Sequence, residues 1–300
     1  MNLINEIRQS FRKGDLLIKV IYANLFVFLF YKILTTFFLL FSIQNINLTN
    51  WLALSSEPIN LLSKPWTLVS HMFFHQKFTH IIFNLIGLYF FGKIFTQYLN
   101  KKQLFSTYII GGVFGAFFYF LSFNYLDILD SNGENVAFGA SAAVLAVLTA
   151  ISSYVPNYQI SIPLLTKIKL KHLAITFIVI DIMLISSYNT NGQLIPSENA
   201  GGHIAHLGGA FYGLYFGYRL RQGKDISIWF NRLMDKIVNY FRKDSSLKTV
   251  HKRAKSDDDW RSDRKKNQLK INTILDKISK SGYESLNDNE KEILFKESKK

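Results

Sequence analysis

The sequence predicts an all-α, polytopic membrane protein with a charged helical tail, and two observations carry that prediction. Apolar residues make up 49% of the 300 residues, and the long apolar stretches all lie before about residue 218. The remaining residues, 219–300, are mostly charged and polar. A hydrocarbon core needs about 20 apolar residues per helix, and six stretches qualify as membrane spans: residues 18–42, 78–99, 104–124, 137–155, 171–188 and 201–218.

The distribution of basic residues predicts the orientation of these spans. Lysines and arginines lie before the first span, between the second and third, between the fourth and fifth, and after the sixth. The opposite connections contain only Lys64 and Lys77, among several acidic residues. By the positive-inside rule, we expect both termini in the cytoplasm of a cell-membrane protein. Topology and anionic lipid therefore explain the net charge of +14 better than a nucleic-acid partner does.

The chain divides into five predicted regions. Apolar residues recur at helical spacing after the last span with basic residues between them, which is typical of a helix on an anionic membrane surface. Packing of that helix on the membrane domain fits the pattern equally well. The regions are a cytoplasmic N-terminal segment (residues 1–17), the membrane domain (18–218), an amphipathic juxtamembrane helix (219–242), a disordered linker (243–266) and a small cytoplasmic helical hairpin (267–300).

Four polar side chains lie in the first turns of three apolar spans. His80 and Asn84 open the second span, Ser141 opens the fourth and His206 opens the sixth. Because these three spans run in the same direction, we expect all four side chains at one depth near the outer face. Polar groups inside a membrane are costly and are functional candidates by default.

A serine and a histidine in this position predict nucleophilic chemistry if their helices approach closely. A serine hydroxyl is a weak nucleophile until an adjacent base, usually a neutral histidine, takes its proton. Stripes of small residues allow such an approach, and both helices carry one at a spacing of four: Ala142, Ala146 and Ala150 in the fourth span, and Gly201, Ala205, Gly209, Gly213 and Gly217 in the sixth. An Oγ–Nε2 hydrogen bond between Ser141 and His206 is therefore plausible.

Three further donors could stabilise a developing oxyanion. His80 and Asn84 are four residues apart on one helix face, and the backbone N–H of Ser141 lies at a helix N-terminus. Taken singly, these residues have simpler explanations. A lone intramembrane serine usually bonds to its own helix, and glycine stripes occur in many channels and transporters.

A metal site is the less favoured explanation of the histidines. His203 and His206, at i and i+3, could be ligands, but the sequence contains no HExxH motif and no cysteine. We expect neither a metal nor a soluble cofactor.

Across residues 18–218 the chain resembles the rhomboid intramembrane serine proteases. The resemblance is carried by His71-Met-Phe-Phe-His75, His80-Ile-Ile-Phe-Asn84, Gly139-Ala-Ser141, and Ala205-His206-Leu-Gly-Gly209 with Gly213. It implies a six-helix bundle that cuts transmembrane-helix substrates near the outer face. It further implies Ser141 as nucleophile and His206 as base, oxyanion stabilisation by His80, Asn84 and the Ser141 amide, and structural roles near the site for His75, Gly139, Gly209 and Gly213.

The chain departs from the family pattern at three positions. Ala142 replaces a common glycine, Leu145 replaces a tyrosine found in some members, and Trp66-Thr67 replaces a Trp-Arg pair. None of these changes removes a reacting group. Two alternatives stay open: a non-catalytic relative that binds membrane helices, and a transporter or channel built from the same glycine-packed helices.

Asp181 interrupts the fifth predicted span. Near the middle of that span it is expected to lie too deep to orient His206, so the sequence predicts a Ser–His dyad without a carboxylate. A pairing with another helix, or with Lys32 of the first span, is the favoured interpretation.

Overall fold

The computed structural model describes residues 15–43, 46–126, 129, 135–161, 167–241 and 257–298. The chain divides into two compact units, Met1–Phe241 and Arg242–Lys300. Most of the predicted N-terminal segment and of the predicted linker lies outside the described residues.

The first unit is mainly helical. Its helices are α1 (Leu16–Leu40), α2 (Thr49–Leu52), α3 (Pro58–Ser63), α4 (Thr67–Ser70), α5 (Phe78–Tyr98), α6 (Lys101–Tyr125), α7 (Ser141–Tyr154), α8 (Leu170–Leu184), α9 (Ala200–Arg221) and α10 (Ile228–Phe241). Three short antiparallel strand pairs join them: β1 (Leu54–Ser55) with β2 (Val136–Ala137), β3 (Gln159–Ile160) with β4 (Ile168–Lys169), and β5 (Ser186–Tyr188) with β6 (Leu194–Pro196).

The six predicted spans correspond in order to α1 and α5–α9. Within the described residues, three of these helices (α1, α5 and α6) are long and apolar enough to cross a membrane, and α7 is a shorter apolar helix. The 14 residues of α7 reach about 21 Å at 1.5 Å per residue, which is less than the thickness of a hydrocarbon core. The chain is therefore a helical membrane protein, and the number of six crossings stays a prediction.

Helix α7 lies at the centre of the first unit, with Ala142 to Ser152 buried throughout. Its contact with α9 is as close as two backbones allow. A Cβ placed on Gly209, Gly213 or Gly217 would collide with the carbonyl oxygen of Ala142, Ala146 or Ala150, respectively. The predicted packing of the two small-residue stripes is confirmed over this stretch. Nearer the start of α9, Gly201 instead faces aromatic rings of α6.

The fifth predicted span is shorter than expected. Helix α8 ends at Leu184, and the β5–β6 hairpin follows directly, beginning within the last residues of the predicted span. The hairpin returns the chain to the end of the helix, where the Ser197 hydroxyl donates to the Leu184 carbonyl at 2.6 Å. As a result, Asp181 lies in the last turn of α8 and close to the first turns of α9.

The segment between α1 and α5 is tied to the region before Ser141. Trp66 donates its indole N–H to the carbonyl of Trp51 at 2.9 Å, and the two rings stack with centroids 5.8 Å apart. Residue Leu54, fully buried, pairs across the β1–β2 ladder with Ala137. The ladder therefore holds the strand that leads into α7.

Helix α10 packs on the membrane domain, which is one of the two arrangements predicted for it. Phe230 is buried against Phe105 of α6, and Lys102 binds Asp235 at 2.7 Å. The adjacent apolar arc is exposed, including Trp229 (61%), Leu233, Ile237, Val238 and Tyr240.

The second unit contains α11 (Asp257–Ser281), a 3-10 turn (Tyr283–Ser285) and α12 (Asp288–Ser298). Its helix begins at Asp257, before the predicted start at residue 267, so residues 257–266 are helical and not part of a linker. Gly282 separates the helices with φ +76°, and Ile274 and Leu286 are buried between them. Asn287 and Glu290 form a reciprocal cap at the start of α12.

Candidate active site

Ser141 and His206 meet although they are 65 residues apart in sequence. The Ser141 Oγ lies 2.6 Å from His206 Nε2, within hydrogen-bond distance. Ser141 is the first residue of α7 and His206 lies in the second turn of α9. The contact between Gly209 and Ala142 holds these two helices together just beyond the pair. The structure therefore forms the hydrogen bond that the sequence predicted.

Gly139 shapes the turn that precedes the serine. Its φ of +121° lies in a region that L side chains rarely adopt. A Cβ at this position would also meet the His80 ring at 2.5 Å. The Gly139 N–H donates to the carbonyl of His71 at 2.8 Å, which fixes the turn on the segment before α5. A glycine is thus required here by both conformation and space.

The His75 side chain forms a hydrogen bond to the same turn. It is fully buried, and its Nε2 lies 3.2 Å from the N–H of Ala140 and 3.2 Å from the Asn84 amide nitrogen. A ring nitrogen that accepts hydrogen bonds carries no proton. Burial, with a smaller contribution from the charge of His80, lowers the pKa of His75 to about 4, so the ring is neutral at physiological pH. These contacts agree with the structural role that the resemblance implies.

Asn84 differs from the expectation. Its Nδ2 donates to His75 Nε2 and to the carbonyl of His80 at 3.0 Å. An amide nitrogen has two hydrogens, so both are used and neither points at the reacting groups. In this structure Asn84 supports His75 and the turn of α5 that carries His80.

The contacts of Asp181 confirm one part of its prediction and correct another. Its Oδ1 lies 2.7 Å from His206 Nδ1 and 2.8 Å from His203 Nδ1, and the residue is 7% exposed. The predicted pairing with another helix is confirmed, because both histidines lie on α9. The alternative pairing with Lys32 is not formed, since the Lys32 ammonium lies 6.0 Å from the ring centroid of Phe28. The expectation that Asp181 lies too deep to orient His206 was wrong, because it placed Asp181 near the middle of the span, whereas α8 ends three residues later at Leu184. The short connection between α8 and the helix that carries both histidines could have indicated that Asp181 lies close to them.

Asp181, His203 and His206 also offer ligand atoms within 4.8 Å of one another, close enough to hold a metal ion. Metal binding and base chemistry exclude each other at His206. A neutral imidazole bound to a metal through Nδ1 carries its proton on Nε2 and cannot accept the serine proton there.

A cavity of about 490 Å³ opens on the serine–histidine pair. This volume is in the range of small ligand pockets. Its polar lining includes His80, Ser141, His206, Lys77 and Glu198, and its apolar lining includes Leu54, Ala116, Tyr119, Phe123 and Phe138. The sequence did not point to the apolar lining, which comes from several separate elements.

The alanine that replaces the family's glycine is accommodated by a neighbour. Ala142 is buried, and its methyl group occupies space beside Gly115 of α6, where a further Cβ would approach it to 2.6 Å. Leu145 is also buried, within the main apolar core. A leucine offers no hydrogen bond to the imidazole, and the Asp181 carboxylate contacts the ring at Nδ1.

The fold and the site define a helical membrane protein with a serine–histidine pair at the start of two closely packed helices. Residues 62–223 match the rhomboid domain, which is more than half of the chain. The chain belongs to the rhomboid family. Residues 255–300 match a family of unknown function, DUF6576.

Similar proteins carry rhomboid names. The chain is 25% identical to "RHOMBOID-like protein 12, mitochondrial" of Arabidopsis thaliana, over 72% of this chain and 61% of that protein. It is 23% identical to "Presenilin-associated rhomboid-like protein, mitochondrial" of Bos taurus, over 71% of this chain and 49% of that protein. It is 29% identical to "RHOMBOID-like protein 5" of Arabidopsis thaliana, over 52% of this chain and 44% of that protein. The chain thus spans about half the length of these relatives.

Proposed function

We propose that this rhomboid protein is an intramembrane serine endopeptidase that cleaves transmembrane-helix substrates near the outer membrane face. The observation that carries the proposal is the 2.6 Å contact between Ser141 Oγ and His206 Nε2. A serine that is hydrogen-bonded to a histidine at the mouth of a cavity is the arrangement that nucleophilic catalysis needs. Membership of the rhomboid family supports the same reaction class.

Acylation follows from this geometry. Ser141 Oγ forms a bond to the carbonyl carbon of the substrate while its proton passes to His206 Nε2. The carbonyl oxygen becomes an oxyanion. In this proposal the oxyanion is stabilised by the Ser141 backbone N–H and the His80 ring, two residues that line the cavity. The C–N bond then breaks, and the protonated His206 gives its proton to the leaving amine.

Deacylation reverses the roles of the same residues. Water attacks the ester carbon and gives a proton to His206. The bond from carbon to Ser141 Oγ breaks, and the proton returns to the serine. All proton transfers use His206, so no soluble cofactor or metal enters the reaction.

The proposed topology has six crossings in a cell membrane, with both termini cytoplasmic and the cavity open to the outer side. Basic residues at the ends of α6, α8 and α9 support this orientation, including Lys101, Lys171 and Arg219. Two of the three relatives above have mitochondrial names, so the host membrane needs a direct test. The chain has no cysteine. Single cysteines placed at Gln193 and at Lys224 should therefore react with an impermeant maleimide from opposite sides of the cell membrane.

The activity test uses purified full-length protein in detergent or liposomes with a model transmembrane substrate. We expect wild-type protein to cleave it, Ser141→Ala and His206→Ala to abolish cleavage, and a chelator to have no effect. Ser152→Ala on α7 and His172→Ala on α8 are matched controls, because neither residue lines the cavity. Cleavage that persists without Ser141, or that a chelator abolishes, would exclude the proposed chemistry.

Two other results would point to the remaining alternatives. Substrate binding without cleavage by wild-type protein would indicate a non-catalytic relative that holds membrane helices. Solute flux through protein-containing liposomes without cleavage would indicate a transporter or channel.

A further inference from the structure

We propose that Asp181 is a positioning residue that converts the serine–histidine pair into a three-membered chain, with His203 as its second hydrogen-bond partner. The inference rests on the proposed function, because it concerns the base of that reaction. It is carried by two distances to one oxygen: Asp181 Oδ1 lies 2.7 Å from His206 Nδ1 and 2.8 Å from His203 Nδ1.

The contact with Asp181 selects the tautomer of His206. A carboxylate is an acceptor, so the facing Nδ1 must carry the ring hydrogen. The remaining nitrogen, Nε2, is then free of a proton and faces Ser141 Oγ at 2.6 Å. Without the carboxylate the neutral ring can place its proton on Nε2, where it blocks transfer from the serine.

Asp181 also affects the energy of the protonated base. During acylation His206 becomes a cation next to a carboxylate that is only 7% exposed. At low exposure the attraction between these charges is weakly screened. The carboxylate therefore stabilises the charge that develops on the ring in the transition state.

His203 completes the arrangement from the same helix. A buried carboxylate with a single partner is costly, and the Nδ1 of His203 supplies the second hydrogen bond to Oδ1. The two rings, three residues apart on α9, are nearly perpendicular with centroids 5.7 Å apart. In this way His203 fixes the carboxylate while His206 stays free to contact the serine.

Other titratable groups face the same region and affect its response to pH. His206 is faced by Asp181 from α8, by His80 from α5 and by His203 on its own helix. Lys77 and Glu198 line the same cavity. Among these groups, Asp181 is the anionic side chain within hydrogen-bond distance of His206. Its removal should therefore give the largest change in the pH dependence of the reaction.

The test compares Asp181→Asn with wild type in two assays, cleavage of a model transmembrane substrate and labelling by a fluorophosphonate. The second assay needs only the serine and its base, since fluoride leaves as Oγ bonds to phosphorus. We expect kcat to fall about 10²- to 10⁴-fold. KM should be unchanged because Asp181 does not line the cavity in the described part of the chain.

The pH profile of the labelling rate distinguishes the proposed role from a merely structural one, which would leave the profile unchanged. Without the carboxylate the protonated imidazole is less stable, so the acidic limb of the labelling rate should move to lower pH. Asp181→Glu should regain part of the rate and the wild-type acidic limb. Asp235→Asn is the matched control, because that carboxylate binds Lys102 away from the cavity, and its rate and profile should equal wild type.

A second measurement uses wild-type protein and does not depend on the folding of a variant. In protein labelled with ¹⁵N-histidine, the resting His206 ring should be the Nδ1–H tautomer, its signal assigned by loss in His206→Ala. An Nε2–H tautomer would overturn the proposal. So would a folded Asp181→Asn protein with unchanged kcat and pH profile.

The design separates this inference from the proposed function. If wild-type protein neither cleaves nor reacts at Ser141, the protease proposal fails and this inference fails with it. If cleavage requires Ser141 and His206 but is indifferent to Asp181, only the role of Asp181 is rejected.

Discussion

Gly209 faces the carbonyl oxygen of Ala142 so closely that a Cβ on the glycine would overlap it. This contact lies one residue beyond Ser141 on α7 and three residues beyond His206 on α9. It therefore sets the distance between the two helices at the level where the serine and histidine meet.

Gly209→Ala should separate the helices and lengthen the distance from Ser141 Oγ to His206. We expect a destabilisation of about 1–3 kcal/mol from overpacking and a loss of fluorophosphonate labelling that exceeds the loss of folded protein. Thermal unfolding in detergent and labelling of the folded fraction measure the two effects. Gly87→Ala is the control, because the nearest atoms to a Cβ there belong to side chains, the closest being a Val144 methyl at 3.2 Å, and not to a backbone carbonyl. Wild-type labelling in Gly209→Ala would contradict this account.

Gly139→Ala should damage the site through both backbone strain and contact with His80. A residue held in an unfavourable backbone region costs on the order of 1–3 kcal/mol, and here the new methyl group also displaces the proposed oxyanion donor. We expect the loss of kcat to exceed the loss that the decrease in folded protein alone would cause. Gly192→Ala makes the same change at φ +73° in open space on the β5–β6 hairpin. It should lower stability slightly and leave kcat unchanged; equal activity losses in the two variants would argue against a specific role for Gly139.

Stability should fall as the pH drops from about 6.5 to about 4. Burial lowers the pKa of His71 and of His75 to about 4, from 6.5 in the unfolded chain. Between these values the unfolded state binds protons that the folded state excludes, so stability rises with pH across the window. Each residue contributes up to about 3 kcal/mol. Unfolding temperatures at several pH values measure the slope.

His75→Gln isolates the contribution of one histidine to this slope. The glutamine does not titrate, so the variant should lose less stability than wild type between pH 6.5 and pH 4. His172→Gln, on an exposed position of α8, is the control and should keep the wild-type slope. An unchanged slope in His75→Gln would mean that the pKa of this ring is the same in the folded and the unfolded protein.

The exposed apolar arc of α10 should insert into the membrane surface. Trp229 and Leu233 lie on this arc, and Arg232 and Lys236 border it, a pattern that favours anionic lipid. In liposomes that contain brominated anionic lipid, we expect quenching of the Trp229 fluorescence, measured as the difference between wild type and Trp229→Phe. Leu233→Glu should reduce that quenching. A Trp229 signal that brominated lipid does not change would place the arc in water.

The pairing of Ser141 with His206 could be predicted from the sequence because it depends on regular helical geometry. Small residues every fourth position lie on one face of a helix, and two such faces pack closely whatever surrounds them. Gly139 was also recognisable, although its contact with the His80 ring was not. The positions of α1, α5 and α6 followed from apolar length alone.

The partners of the remaining polar side chains were decided only by the tertiary structure. Asp181 reaches His206 because α8 ends at Leu184 and a hairpin returns the chain to that end. Apolar composition alone placed the end of this span at residue 188, four residues beyond the end of the helix. Asn84 binds His75 because the segment before α5 folds back under the turn that carries Ser141. The sequence by itself determined which residues carry the chemistry and which helices pack. The tertiary structure, through the point at which each helix ends, determined which hydrogen bonds those residues make. The reason is that a hydrogen bond is lost when the distance between donor and acceptor increases by about 1 Å.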